Sequence, residues 1–154
     1  MSGHDHDHSH EHDHGHDHGH GHDHEHGQAQ EIVENALVIS RSWTRESDTP
    51  VRAEELEKLT ADGLEKIAVL LSTDGMILGH IKALLGCGSG RSALSVTRLG
   101  IVDITHDGRW EPAAQVAAWS LDVNIISIEN TGLEVDFRLV FPFVFSEGAG
   151  SSNI

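Results

Sequence analysis

Twelve histidines stand at every even position from His4 to His26, and the residues between them are Asp, Glu, Gly and one Ser. From Ser2 to Gln28 there is no apolar side chain. Such a stretch has nothing with which to form a core, so it cannot fold by itself. Residues 1–29 are therefore expected to be a disordered tail. The fold must come from residues 30–146, which is enough chain for one two-layer core. The closing residues 147–154, EGAGSSNI, are again expected to be disordered.

The composition of the tail points to metal chemistry. Imidazole is the commonest protein ligand for transition metals, and the ligands expected here are His4, His6, His8, His10, His12, His14, His16, His18, His20, His22, His24 and His26. In an extended chain, residues i and i+2 share a face roughly 6.5–7 Å apart, so a modest bend brings neighbouring imidazoles onto one ion. The carboxylates Asp5, Asp7, Glu11, Asp13, Asp17, Asp23 and Glu25 raise the local cation concentration and supply acceptors for the second imidazole N–H. At about four ligands per ion, the run has capacity for on the order of two to four metals. No unique set of four is defined, so affinity should follow the Irving–Williams order more than geometry. Nickel or zinc is the expected ion, with copper and cobalt as further candidates. If Met1 is removed, the chain begins Ser2-Gly3-His4, where amine, two amides and an imidazole can wrap square-planar around Cu(II) or Ni(II).

Three other readings compete. A purification tag also alternates histidine, though irregular Asp, Glu, Ser and Gly spacers are not its usual form. A pH sensor would exploit the tail's seven negative charges, which twelve protonated imidazoles would outweigh. Low-complexity drift without a selected function is the third. Metal handling uses the spacers as well as the histidines. In composition the tail resembles the histidine-rich extensions of nickel and zinc accessory proteins, among them hydrogenase-maturation GTPases, urease nickel chaperones and the loops of zinc transporters. That resemblance is confined to the first 27 residues. It implies metal storage or delivery to a client metalloenzyme or transporter.

Charge and cysteine content narrow the remainder. The formal net charge of −15 divides into −7 from the tail and −8 from the rest. This argues against nucleic acid or an anionic membrane as partner, and for metal ions or a cationic partner. The lone Cys87 has no intramolecular disulfide partner. No signal-peptide pattern precedes the histidines and no apolar run approaches membrane-spanning length, so a cytoplasmic location is the expectation.

Past Gln30 the pattern changes abruptly. Leu37, Ile39 and Trp43 alternate, predicting a first strand near 35–45. Glu46 to Pro50 reads as a loop, with Thr49 as N-cap and Pro50 at the first helical position. Ala53, Leu56, Leu59, Leu64, Ile67, Leu70 and Leu71 keep helical spacing, with a break available at Thr60-Ala61-Asp62-Gly63. Asp74-Gly75 marks a turn. Strands are predicted over 76–87 and 92–105, around a glycine-rich turn, and over 117–129 and 133–143, around a hairpin at Asn130-Thr131-Gly132. In the last pair Trp119, Leu121, Val123 and Ile125 would share an apolar face with Leu133, Val135, Phe137, Leu139 and Phe141, leaving Asp122, Asn124, Glu134, Asp136 and Arg138 outward. The order β–α–β–β–β–β predicts an α+β fold, a mostly antiparallel sheet with helix packed on one face.

Little in the folded part suggests its own chemistry. The run Gly86 to Ser92 is glycine-rich but lacks Walker A spacing and lysine, so a turn between strands is expected. His80, Cys87 and His106 would form a defined metal or catalytic site only if they converged. Each alone reads as structural: a buried thiol, a strand residue and a turn residue. The protein is thus expected to be a metal binder and not an enzyme, using its folded part for docking or oligomerisation. Two alternatives stand beside it: a partner-binding or assembly module with the tail as a metal or pH sensor, and a small enzyme acting near His80, Cys87 and His106.

Overall fold

The computed structural model describes residues 36–128, 132 and 134–146. The tail assignment to residues 1–29, the first residues of the folded part, Asn130, Thr131 and residues 147–154 lie outside the described residues. Five strands form one antiparallel sheet: β1 (Leu37–Arg52), β4 (Gly79–Cys87), β5 (Gly90–Arg98), β6 (Ile101–His106) and β7 (Gln115–Ser127). Their spatial order is β1-β7-β4-β5-β6. A small hairpin of β2 (Ser72–Thr73) and β3 (Met76–Ile77) turns at Asp74-Gly75, both at positive φ. Helix α1 (Ala53–Leu71) packs on one face of the sheet, together with two single-turn helices, α2 (Phe137–Val140) and α3 (Pro142–Phe145). Among the described residues no helix is long and apolar enough to cross a membrane.

The core follows from two periodicities meeting. On α1, Leu56, Thr60, Leu64, Ile67 and Leu71 recur every three or four residues and are buried. On the strands the odd positions Ile81, Ala83 and Leu85, the even positions Leu94 and Val96, and Leu121, Val123 and Ile125 of β7 face them. Each fully buried Leu, Ile or Val contributes about 1.5–3 kcal/mol of transfer free energy. The opposite face carries the other parity and stays open.

Five expectations need correcting. The strand predicted near 35–45 continues to Arg52, with an irregularity between Glu46 and Val51, so Glu46–Pro50 is not a capping loop. Helix α1 starts at Ala53 without a side-chain cap, because the carbonyls of Ala114 and Pro112 accept the N–H groups of Ala53 and Glu54 at 2.9 Å each. The possible break at residues 60–63 does not occur. Thr60 Oγ1 donates to the carbonyl of Leu56 at 2.7 Å, and Gly63 admits the ring of Phe141 against the helix backbone.

The stretch 92–105 is two strands, since Gly100 at φ 73° turns the chain between β5 and β6. The predicted strand at 133–143, and with it the hairpin pairing to 117–129, is replaced by α2 and α3. β7 already pairs with β1 on one side and β4 on the other, so it offers no edge to a following strand. The aromatic residues Phe137, Phe141 and Phe145 instead gather on Trp43, with ring centroids 5.3, 6.2 and 5.9 Å away. Asp136 caps α2 by accepting the Arg138 N–H at 3.0 Å, and Pro142 starts α3.

The Gly63 contact yields a test. A Cβ at this position would lie 2.1 Å from Cε1 of the Phe141 ring. Helix propensity favours Gly63→Ala by about 1 kcal/mol, but overpacking a buried ring costs about 1–3 kcal/mol. The variant should have a lower urea midpoint than the parent, whereas Leu139→Ala, at a site 73% exposed, should leave the midpoint nearly unchanged.

Candidate functional site

The twelve predicted metal ligands, His4 to His26, all fall outside the described residues. Among the described residues no three His, Cys, Asp or Glu side chains are grouped to hold a metal ion. His80, Cys87 and His106 do not converge. His80 pairs with Ile126 on the open face, half-buried, at the start of β4. Cys87 lies seven residues on, about 23 Å along the strand, and faces the core. His106 lies on β6 opposite Ser92, on the helix side.

On that side His106 joins a cluster that sequence reading missed. Glu57, one turn into α1, accepts hydrogen bonds on the same oxygen, Oε2, from His106 Nε2 at 2.5 Å and from the hydroxyl of Ser92. Ser92 is fully buried, whereas the side chains of Glu57 and His106 are 16% and 40% exposed. The His106 ring stacks flat on Trp110, 5.0 Å between centroids. Hydroxyl activation of the serine-hydrolase kind needs the imidazole between hydroxyl and carboxylate. Here the carboxylate lies between the other two, and the hydroxyl is out of reach of solvent. The cluster is a tie holding α1 to β5 and β6.

Burial, and after it the Glu57 carboxylate, pushes the Cys87 thiol up to about 11 from its ordinary 9.0. It is a packed thiol and not a nucleophile at neutral pH. The glycine-rich turn after it is a tight link between strands, with Gly88 at φ 60°. Gly90 packs so closely on the next loop that a Cβ would lie 2.7 Å from the Arg109 carbonyl oxygen. In that loop the backbone N–H of Arg91 holds the Asp107 carboxyl below the usual range, with a further bond from the Arg109 N–H.

The open face is different in character. A depression of about 610 Å3 crosses all five strands of the sheet there. Two rows of paired residues run across it, of which all but Ser40 line the depression. One runs Ser42, Asp122, Leu84, Ala93, Thr105, and the next runs Ser40, Asn124, Lys82, Ser95, Asp103. Most of these side chains are small and polar, so the floor is low. Ser40 Oγ donates to Asn124 Oδ1 at 2.5 Å. Lys82, Asp103 and Asp122 take part in none of the ion pairs formed among the described residues. The pattern Asp122/Asn124 as outward positions was legible in the sequence; the row partners on β4, β5 and β6 were not, because they depend on register.

No protein-family model matches this chain, and no curated protein or solved structure is detectably similar to it.

Two outcomes check this description. At pH 8 the folded protein should react with iodoacetamide on the order of 100-fold more slowly than the urea-unfolded chain, from a thiolate fraction lowered by about two pH units. Since the folded thiol keeps its proton to higher pH than the unfolded one, its contribution to stability is intact below pH 9.0 and declines as pH rises toward about 11. Separately, Glu57→Ala leaves the buried Ser92 hydroxyl without its acceptor, and should cost about 1–3 kcal/mol in denaturant unfolding.

Proposed function

We propose that this protein binds transition-metal ions, nickel or zinc first and copper or cobalt as alternatives, through the histidines at positions 4–26, and stores them or delivers them to a client. The alternation of twelve imidazoles with carboxylates and glycines carries this reading. Neutral imidazole is a borderline ligand suited to these ions, and the intervening carboxylates suit the outer shell. The placement of the folded part supports it. Among the described residues the buried hydrophobic side chains run from Ala53 to Val144. β1, the first strand, is an edge of the sheet, and its first residue, Leu37, is the point from which the chain leads back toward the histidines. The folded part is in this reading a carrier, acting in the cytoplasm, that presents the segment to a partner.

Calorimetric titration with zinc and nickel tests the assignment. The full chain should bind several ions, and a chain lacking residues 1–28 one or none, with an unchanged far-UV spectrum. Several ions retained by the shortened chain would place the sites elsewhere. Ligand imidazoles must be deprotonated, so protons compete with metal: affinity should be full above about pH 7 and collapse as pH falls through about 6.5 to 5. Binding unchanged at pH 5 would mean carboxylate ligation.

A further inference from the structure

Among the described residues the open-face depression holds three charges outside any ion pair, Lys82, Asp103 and Asp122, on a floor of small polar and apolar residues. Val38, the second residue of β1, faces the open side in the row Val38, Ile126, His80. The adjacent row carries Asn124, Lys82 and Asp103, and the one beyond it Asp122. Rows on one face are about 7 Å apart and neighbouring strands about 4.8 Å, so Asp122, one strand and two rows away, lies roughly 15 Å from Val38, and Asp103, four strands and one row away, roughly 20 Å. His26 is ten residues before Ala36, and ten residues reach up to about 33–36 Å. The segment is therefore long enough to lie in the depression.

We propose that the open-face depression is the seat of the chain's own histidine segment once it carries metal, with Asp103 and Asp122 as the anchoring groups. This rests on the metal-binding reading above. A metal-bound imidazole uses one ring nitrogen for the ion and offers the other as an N–H donor, and carboxylates are its usual acceptors. Asp103 and Asp122 are such acceptors held on rigid strands, not yet committed to another cation. Charge decides when the segment seats. With neutral imidazoles it carries −7 against −8 on the rest of the chain, and like charges keep the two apart. Each divalent ion adds two positive charges to the segment, so four ions turn its −7 into +1 and end that repulsion. Small floor residues, Ser42, Ala93 and Ser95, leave room for a chain to lie across the strands. His80 offers a fixed imidazole beside the path.

The test uses the full chain, labelled with 15N and titrated with zinc chloride, while calorimetry counts the ions. Saturating zinc should shift the amides of Lys82, Ser95 and Asn124. The double variant Asp103→Asn/Asp122→Asn should lose those shifts and bind zinc roughly tenfold more weakly, as when outer-shell acceptors are removed. The pair Asp62→Asn/Glu65→Gln on the outer surface of α1 is the control, and should change neither. Zinc bound with shifts confined to residues 1–35 overturns the seat and leaves the metal reading standing. Open-face shifts that grow with protein concentration, together with a dimer in sedimentation, also overturn it, in favour of a second copy. If no zinc binds, the metal reading falls and the seat falls with it.

Discussion

Everything in the described fold depends on β7 being paired along both edges. It enters last of the five strands yet lies between the first, β1, and the second main strand, β4, so its hydrogen bonds join residues some eighty positions apart at one edge and about forty at the other. Leu121, Val123 and Ile125 then sit at the centre of the core, each 1% exposed or less. Closing such long loops costs chain entropy that local structure alone does not recover, and the burial along β7 offsets it. With both edges occupied, the chain that follows has to leave the sheet. It folds back as two short helices over Trp43 and Trp119, where its aromatic rings complete the core beside α1.

The same arrangement makes the two faces of the sheet chemically unlike. On the helix side one carboxylate oxygen of Glu57 serves both Ser92 and His106. This half-buried acceptor stabilises a particular helix placement, because removing it leaves the buried Ser92 hydroxyl unpaired away from water. On the open side no described element covers the sheet, and Leu84 and Ile126 lie there among the charged Lys82, Asp103 and Asp122. These three charges leave electrostatic capacity over a broad shallow surface.

This division bears on how a metal-binding segment and a small fold can work as one molecule. In the proposed reading the histidine segment offers many ligands without a unique set of four, so it neither selects strongly nor presents an ion in one orientation. A rigid sheet face bearing a few carboxylates supplies orientation without needing to ligate the metal itself. β1, which the histidines precede in sequence, is an edge strand of that sheet, so in the proposed reading the two lie within reach of one another.

The sequence alone determined the properties that follow from local spacing. The three-to-four spacing from Leu56 to Leu71 makes α1, and the period of two along β7 sorts Trp119, Leu121, Val123 and Ile125 from Asp122 and Asn124. These depend only on side-chain direction, which the backbone repeat sets within a few residues. Tertiary structure decided the rest. Phe137, Leu139 and Phe141 alternate as a strand would, and Phe137, Phe141 and Phe145 repeat as a helix would; the absence of a free edge on β7 selected the second. Thr49 and Pro50 are good helix starters, but the carbonyls of Pro112 and Ala114 fixed the start at Ala53 instead. The meeting of Glu57 with Ser92 and His106, and of Asp122 with the row holding Thr105, was invisible for the same reason. Such contacts are set by strand register between distant segments, and register is chosen by the packing of the whole sheet, not by any one stretch of it.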